Sequence, residues 1–305
     1  MNAAPKAKPK ASWQVWRDAS GRLSALRIAT LALLVLPVGI AVYDFTTVGF
    51  GARPINDVIH RAGYWALIFV MLSLAVTPLR RITRFNALVD VRRMLGVGAF
   101  AYAAAHILLF VADQKYDLWK VGSEIVLRLY LTIGFVALLG LAALAATSTD
   151  GMVRRLGAKR WQRLHTAIYG IGLLALIHFF QQTKADVWLP TFVAGLFSWM
   201  IGYRLLVKLR KGRRDEPPTW MLAALTVTVS VLTFLAEAAG IAIVFNASML
   251  MVLQSTLEFD IDMIRPGWLV LGAGLCVVIV DLVRARFAKP RRPAVRKRRP
   301  EPVSP

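Results

Sequence analysis

Eight apolar runs, each long enough to cross about 30 Å of hydrocarbon as a helix, alternate with polar segments along this chain. They fall at 27–44, 61–79, 95–112, 128–147, 164–182, 189–207, 219–244 and 267–283. Such a pattern predicts an all-α polytopic membrane bundle. A backbone in lipid must satisfy its own N–H and C=O groups, and a helix does this within one segment. The basic residues set the direction of threading. Of 38 Lys and Arg residues, 31 fall in the two termini and every second loop, so the positive-inside rule places both termini in the cytoplasm. The run Trp220 to Leu257 is too long for one span, and its second part, Asn246 to Leu257, is expected to be interfacial or re-entrant. Two full spans there would carry the basic tail to the wrong side. That tail, Lys289 to Pro305, alternates Pro with Lys and Arg and is expected to be disordered and held by anionic membrane lipid.

Composition removes several function classes. A formal net charge of +21 suggests nucleic acid at first sight, but the chain is 57% hydrophobic and its cations lie between apolar runs, so they form no single patch and no nucleic-acid partner is expected. One cysteine, Cys276, excludes an intrachain disulfide, a Cys-x-x-Cys-His haem attachment and a Cys/His zinc cluster. The basic stretch from Lys6 to Arg27 precedes the first run, whose only small-residue cleavage candidate, Ala41-Val42-Tyr43, is poor; an uncleaved first span is expected.

The four histidines, His60, His106, His165 and His178, all lie in or at the edges of these runs. An ionisable side chain inside a bilayer is by default a functional site with a partner, and for imidazole a metal is an inexpensive one. Depth sorts the four. His106 lies about 20 Å beyond Arg93, and His178 about 22 Å beyond Arg163, on two helices that run the same way. Two imidazoles at matched depth on different helices are what axial ligation of one haem requires, so His106 and His178 are the expected metal ligands. Zinc would want more ligands than this depth provides.

His165 lies near the cytoplasmic face and, on an ideal helix, about 140° around from His178. It shares the bundle interior only if the helix is distorted, for which Gly170 and Gly172 are candidates. Its role is left open among a ligand of an inner haem, a quinone or flavin contact, and a histidine placed between ligands. Arg92, Arg93, Arg160 and Trp161 either line that side, binding propionate, quinone or flavin phosphate, or are plain positive-inside anchors. Three G-x-G runs, beginning at Gly96, Gly170 and Gly272, lie inside spanning helices, where glycine serves close helix packing and not dinucleotide binding.

The stretches Thr77-Pro-Leu-Arg80, Arg92-Arg93-x-Leu95-Gly96, Tyr102-x-x-x-His106, Tyr130-Leu-Thr-x-Gly134, Ala146-Thr-Ser148, Leu156-Gly-x-x-Arg160-Trp-Gln-x-Leu-His165-x-x-x-Tyr169 and Ile177-His178 together resemble the MsrQ (YedZ-type) haem-binding membrane subunits, within the ferric-reductase-like transmembrane domains. The resemblance covers roughly residues 28–207. It departs at Leu129, where the family commonly has Pro, and after His178, where Phe179 and Gln181-Gln182 replace Tyr and Trp. It implies a haem b cytochrome in the bacterial inner membrane, with six core helices and His106, His165 and His178 as cofactor-binding residues, and it allows an FMN. It also implies electrons drawn from the quinone pool or a flavin reductase and passed to a periplasmic molybdopterin-containing methionine-sulfoxide reductase subunit.

The expected organisation is a basic N-terminus (1–27), the haem-binding core (28–207), an extension with two further spans (208–283) and the basic tail (284–305). Two alternatives compete. A stand-alone ferric or superoxide-producing reductase is disfavoured because no soluble FAD/NADPH domain follows the bundle. A cofactor-free transporter is disfavoured because no repeated halves are visible.

Overall fold

Wherever the sequence is apolar for a bilayer's width, the chain is helical. The computed structural model describes residues 14–17, 20–47, 49–183, 186–210 and 216–287. The expectations for the tail and the first residues lie outside these. Among the described residues there are twelve helices: α1 (Ala25–Thr47), α2 (Pro54–Thr83), α3 (Leu88–Asp113), α4 (Leu118–Leu127), α5 (Leu129–Ala146), α6 (Asp150–Leu156), α7 (Ala158–His165), α8 (Ile168–Thr183), α9 (Trp188–Leu209), α10 (Thr219–Phe245), α11 (Met249–Leu257) and α12 (Pro266–Phe287). Eight spans are long and apolar enough to cross a membrane, α7 and α8 counting as one. The protein is a multi-pass membrane bundle.

The spans alternate in direction, so the bundle has a basic end and an opposite end. At the basic end α2 stops at Arg84, whose φ of 57° is left-handed, and α10 stops in the same way at the opposite end, at Asn246 with φ 50°. That stop divides the long run after Trp220 as its length demands: α10 spans, and the nine-residue α11 does not. α4 also lies outside the spans, at the opposite end, its first turn capped by the Asp117 carboxylate accepting from the Lys120 amide at 2.9 Å.

Two antiparallel hairpins form the centre of the bundle, α2 on α3 and α5 on α8, while α1 leans on α3. The extension closes the far side, with α10 and α12 packed on each other and on α9. Small residues permit this approach: a β-carbon on Gly274 would meet Thr226 at 2.4 Å, and one on Gly195 would meet Val270 at 2.5 Å. Polar groups lock the same seam. The Trp199 indole donates to the Thr226 hydroxyl at 3.0 Å, and the Thr219 hydroxyl donates to Asp281 at 2.6 Å.

Candidate haem site between two helix hairpins

Each hairpin presents one histidine to the space between them. On α3, His106 Nδ1 lies 2.7 Å from the carbonyl oxygen of Ile59 on α2; on α8, His178 Nδ1 lies 2.7 Å from the carbonyl oxygen of Tyr130 on α5. A carbonyl only accepts, so both Nδ1 atoms carry the proton and both Nε2 atoms keep a bare lone pair. This is the second-shell arrangement that orients a metal-ligating imidazole.

The two cradles share one pattern. Four residues after each accepting carbonyl stands a glycine, Gly63 after Ile59 and Gly134 after Tyr130, and each glycine lies against the imidazole its carbonyl holds. A β-carbon at Gly63 would fall 3.0 Å from the His106 ring, and one at Gly134 would fall 2.8 Å from the His178 ring. Tyr130 also stacks beside His178, ring centres 6.4 Å apart.

The ring centres of His106 and His178 are 6.3 Å apart, with planes inclined at 78°. With metal–nitrogen bonds of about 2 Å and about 1.1 Å from ring centre to nitrogen, two imidazoles on one metal have centres roughly 6.2 Å apart. The separation therefore fits one iron between them. Around the pair lies a cavity of about 410 Å³, within the usual range for a cofactor site. Its floor is apolar, with Leu67, Val70 and Leu141, and its rim at the less basic end is polar, with Asn56, His60 and Gln182.

His165 does not line this cavity. It sits half-buried at the basic end, its Nε2 3.1 Å from the Thr147 hydroxyl and its ring stacked on Trp161 at 4.0 Å. Trp161 in turn donates to the Thr147 carbonyl at 2.8 Å. The helix is indeed interrupted between His165 and His178, but at Thr166 and Ala167 rather than at Gly170 or Gly172. There the Ala167 and Tyr169 amides bond three residues back, and the Thr166 hydroxyl donates to the Arg163 carbonyl at 2.6 Å.

Nearby, Arg204 donates to the Tyr169 hydroxyl at 3.1 Å and to the Leu74 carbonyl, with Arg92 and Arg80 in electrostatic range. Arg93 pairs with Asp150 at 2.6 Å. The hydrogen bond and charge of Arg93 hold the Asp150 carboxyl below the usual carboxylate range.

Comparison with known proteins places the chain. The family described as ferric reductase like transmembrane component matches residues 62–176. A protein-methionine-sulfoxide reductase heme-binding subunit MsrQ of Xanthomonas campestris pv. campestris (strain 8004) is 39% identical over 205 residues, covering 64% of this chain and 94% of that protein. The chain belongs to the MsrQ family.

The MsrQ of Xanthomonas euvesicatoria pv. vesicatoria (strain 85-10) is 43% identical over 173 residues, 55% of this chain and 79% of its own, and that of Rhodospirillum rubrum is 38% identical over 194 residues, 63% and 93%. No solved structure matches. Over a third of this chain thus lies outside the alignment with MsrQ proteins that are themselves covered almost end to end.

Three residues of the site escaped sequence reasoning. Gly63 lies in none of the G-x-G runs, Gly134 was visible only within a family motif, and His60 had no assigned place although it lines the cavity rim. The shared spacing of carbonyl and glycine, 59 to 63 and 130 to 134, was the available signal. The G-x-G glycines do serve packing where they are close to anything: Gly98 lies against Leu34 of α1, Gly172 against Phe197 of α9 and Gly274 against Thr226 of α10.

Proposed function

We propose that this chain is a haem b electron-transfer subunit of a protein-methionine-sulfoxide reductase system, spanning the bacterial inner membrane with both termini in the cytoplasm. It carries electrons from the quinone pool or a flavin reductase to a periplasmic molybdopterin-containing subunit that reduces methionine sulfoxide in proteins. One observation carries the reading: two imidazoles on separate hairpins, each with Nδ1 bound to a backbone carbonyl, stand one iron's width apart across an apolar cavity. The family membership supports it, since the related proteins are called heme-binding subunits.

His106 and His178 would hold the iron, which supplies one-electron chemistry when bound. The carbonyls of Ile59 and Tyr130 fix the rotation of each ring and raise the basicity of Nε2. The apolar floor excludes water, and the polar rim faces the periplasm and the loops near Asp113 to Glu124, where a partner would dock. With both imidazoles bound, the iron would have no position left for a sulfoxide, so oxygen removal belongs to the partner. His165, stacked on Trp161 and close to Arg92 and Arg93, is a further haem- or FMN-linked residue at the cytoplasmic end.

The test is optical. The full-length protein purified in detergent is expected to give a reduced-minus-oxidised b-type spectrum, and the His106→Ala, His178→Ala double variant to lose it. Full haem loading of the double variant would overturn the ligand assignment.

A further inference from the structure

Outside the matched core, the extension holds a group that helix packing does not explain. Glu237 lies in α10, eight residues before its outer end, and is only 2% exposed. A carboxyl at that depth in a spanning helix is by default functional. Its one charged neighbour among the described residues is Arg265, just before the outer end of α12, with a nitrogen 3.5 Å from Oε1. Oε2 is buried and has no hydrogen-bond partner among the described residues. An unsatisfied buried acceptor costs about 1–3 kcal/mol, so the site favours a ligand that brings a donor.

The space for one is present. Glu237 lines a cavity of about 110 Å³ bounded by Gly240 and Ile241 of α10, Thr191 of α9 and Phe180 of α8. Val244 and Phe245, on its wall, are 64% and 62% exposed on a spanning helix, so the cavity adjoins lipid and not the aqueous loops. Its occupant is therefore lipid-soluble. A metal ion is disfavoured by the Arg265 charge beside the lone carboxyl, and no cluster of three metal-ligating side chains occurs among the described residues. Size limits the occupant to a head group of one small ring.

Position supplies the last constraint. Phe180 lines this cavity, while Phe179 and His178, its neighbours on α8, line the other. Only the thickness of one helix, about 10 Å, separates the two.

Resting on the relay reading above, we infer that the extension carries an electron-input site in which Glu237 binds the hydroxyl of a membrane-soluble hydroquinone and takes its proton. Hydroquinone oxidation to quinone breaks two O–H bonds and releases two protons and two electrons. Haem iron held by His106 and His178 would take the two electrons, one in each of two successive transfers across α8. Each proton passes to the Glu237 carboxylate and leaves at the outer end, beside Arg265.

The experiment uses full-length, haem-loaded protein and a short-chain hydroquinone, with haem reduction followed by absorbance and binding of the hydroquinone to dithionite-reduced protein by equilibrium dialysis. Glu237→Gln keeps an acceptor but cannot take a proton; it is expected to retain hydroquinone binding and slow haem reduction by hydroquinone at least tenfold. Ile241→Trp fills the cavity and is expected to lose both. Haem content and reduction by dithionite should be unchanged in each variant. Wild-type rates in both variants, or no reduction of the wild-type haem by hydroquinone, would overturn the site and leave the relay reading standing. Absence of haem from the wild-type protein would sink the relay reading instead. Hydroquinone binding unaltered by Ile241→Trp would then reject the site on its own.

Discussion

Gly134 lies so close to His178 that a β-carbon there would stand 2.8 Å from the imidazole ring. A position this tight admits hydrogen alone, so Gly134→Ala must push the ring away from the Tyr130 carbonyl that orients it. Overpacking of this kind costs about 1–3 kcal/mol. The variant is expected to retain severalfold less haem on detergent purification, and Gly63→Ala, where the corresponding distance is 3.0 Å, to lose less. Haem-to-protein ratios of both variants equal to wild type would refute the cradle.

His165→Ala is expected to leave intact the spectrum of the haem proposed to be held by His106 and His178, because His165 lies at the other end of the bundle against Thr147 and Trp161. Difference spectra of His165→Ala and His178→Ala, compared at equal protein, check this. Loss of the same band in both would place His165 at the shared site.

The Arg93–Asp150 pair should give a small acid-sensitive contribution to stability. The Asp150 carboxyl is depressed mainly by the hydrogen bond from Arg93, so the contribution is complete above the ordinary carboxylate value of about 3.9 and is lost as pH falls through the depressed value. Both partners are half-exposed or more, which limits the pair to about 0.5 kcal/mol. Thermal unfolding of Asp150→Asn in detergent should lie slightly below wild type at neutral pH and converge with it in acid. A constant offset at all pH values would deny the link.

A reporter fused after Pro305 should be active only in the cytoplasm, since the threading puts 31 of 38 basic residues on that side. Activity confined to the periplasm would require a different number of crossings.

Supplied with reductant and an oxidised protein, the purified subunit should turn over no methionine sulfoxide until the proposed molybdopterin-containing partner is added. Turnover by the subunit alone would defeat the relay assignment.

The eight spans were legible in sequence because lipid leaves the backbone no alternative to a helix, and run length with charge alternation then suffices. His106 and His178 were legible as a pair because helical rise converts residue spacing into depth. The cradles were not: which carbonyl meets Nδ1, and which glycine faces the ring, depends on the rotation and offset of α2 against α3 and of α5 against α8. Helix packing sets those quantities, and no period in one segment encodes them. The break at Thr166 was hidden for a related reason. It is made by a threonine hydroxyl turned back onto the Arg163 carbonyl, while the neighbouring glycines, the conspicuous flexible residues, continue the helix. Glu237 was passed over because it stands alone in an apolar run, with its partner Arg265 28 residues further along the sequence.

His106 and His178 belong to different hairpins, and each hairpin packs chiefly within itself. A metal bonded to both, as proposed, would act as a rivet between two halves of the bundle. Ligand bound only by the assembled form stabilises it by mass action. The supply of cofactor would then govern how much of the subunit survives surveillance by membrane proteases, and a cell short of haem would lose the protein along with its activity.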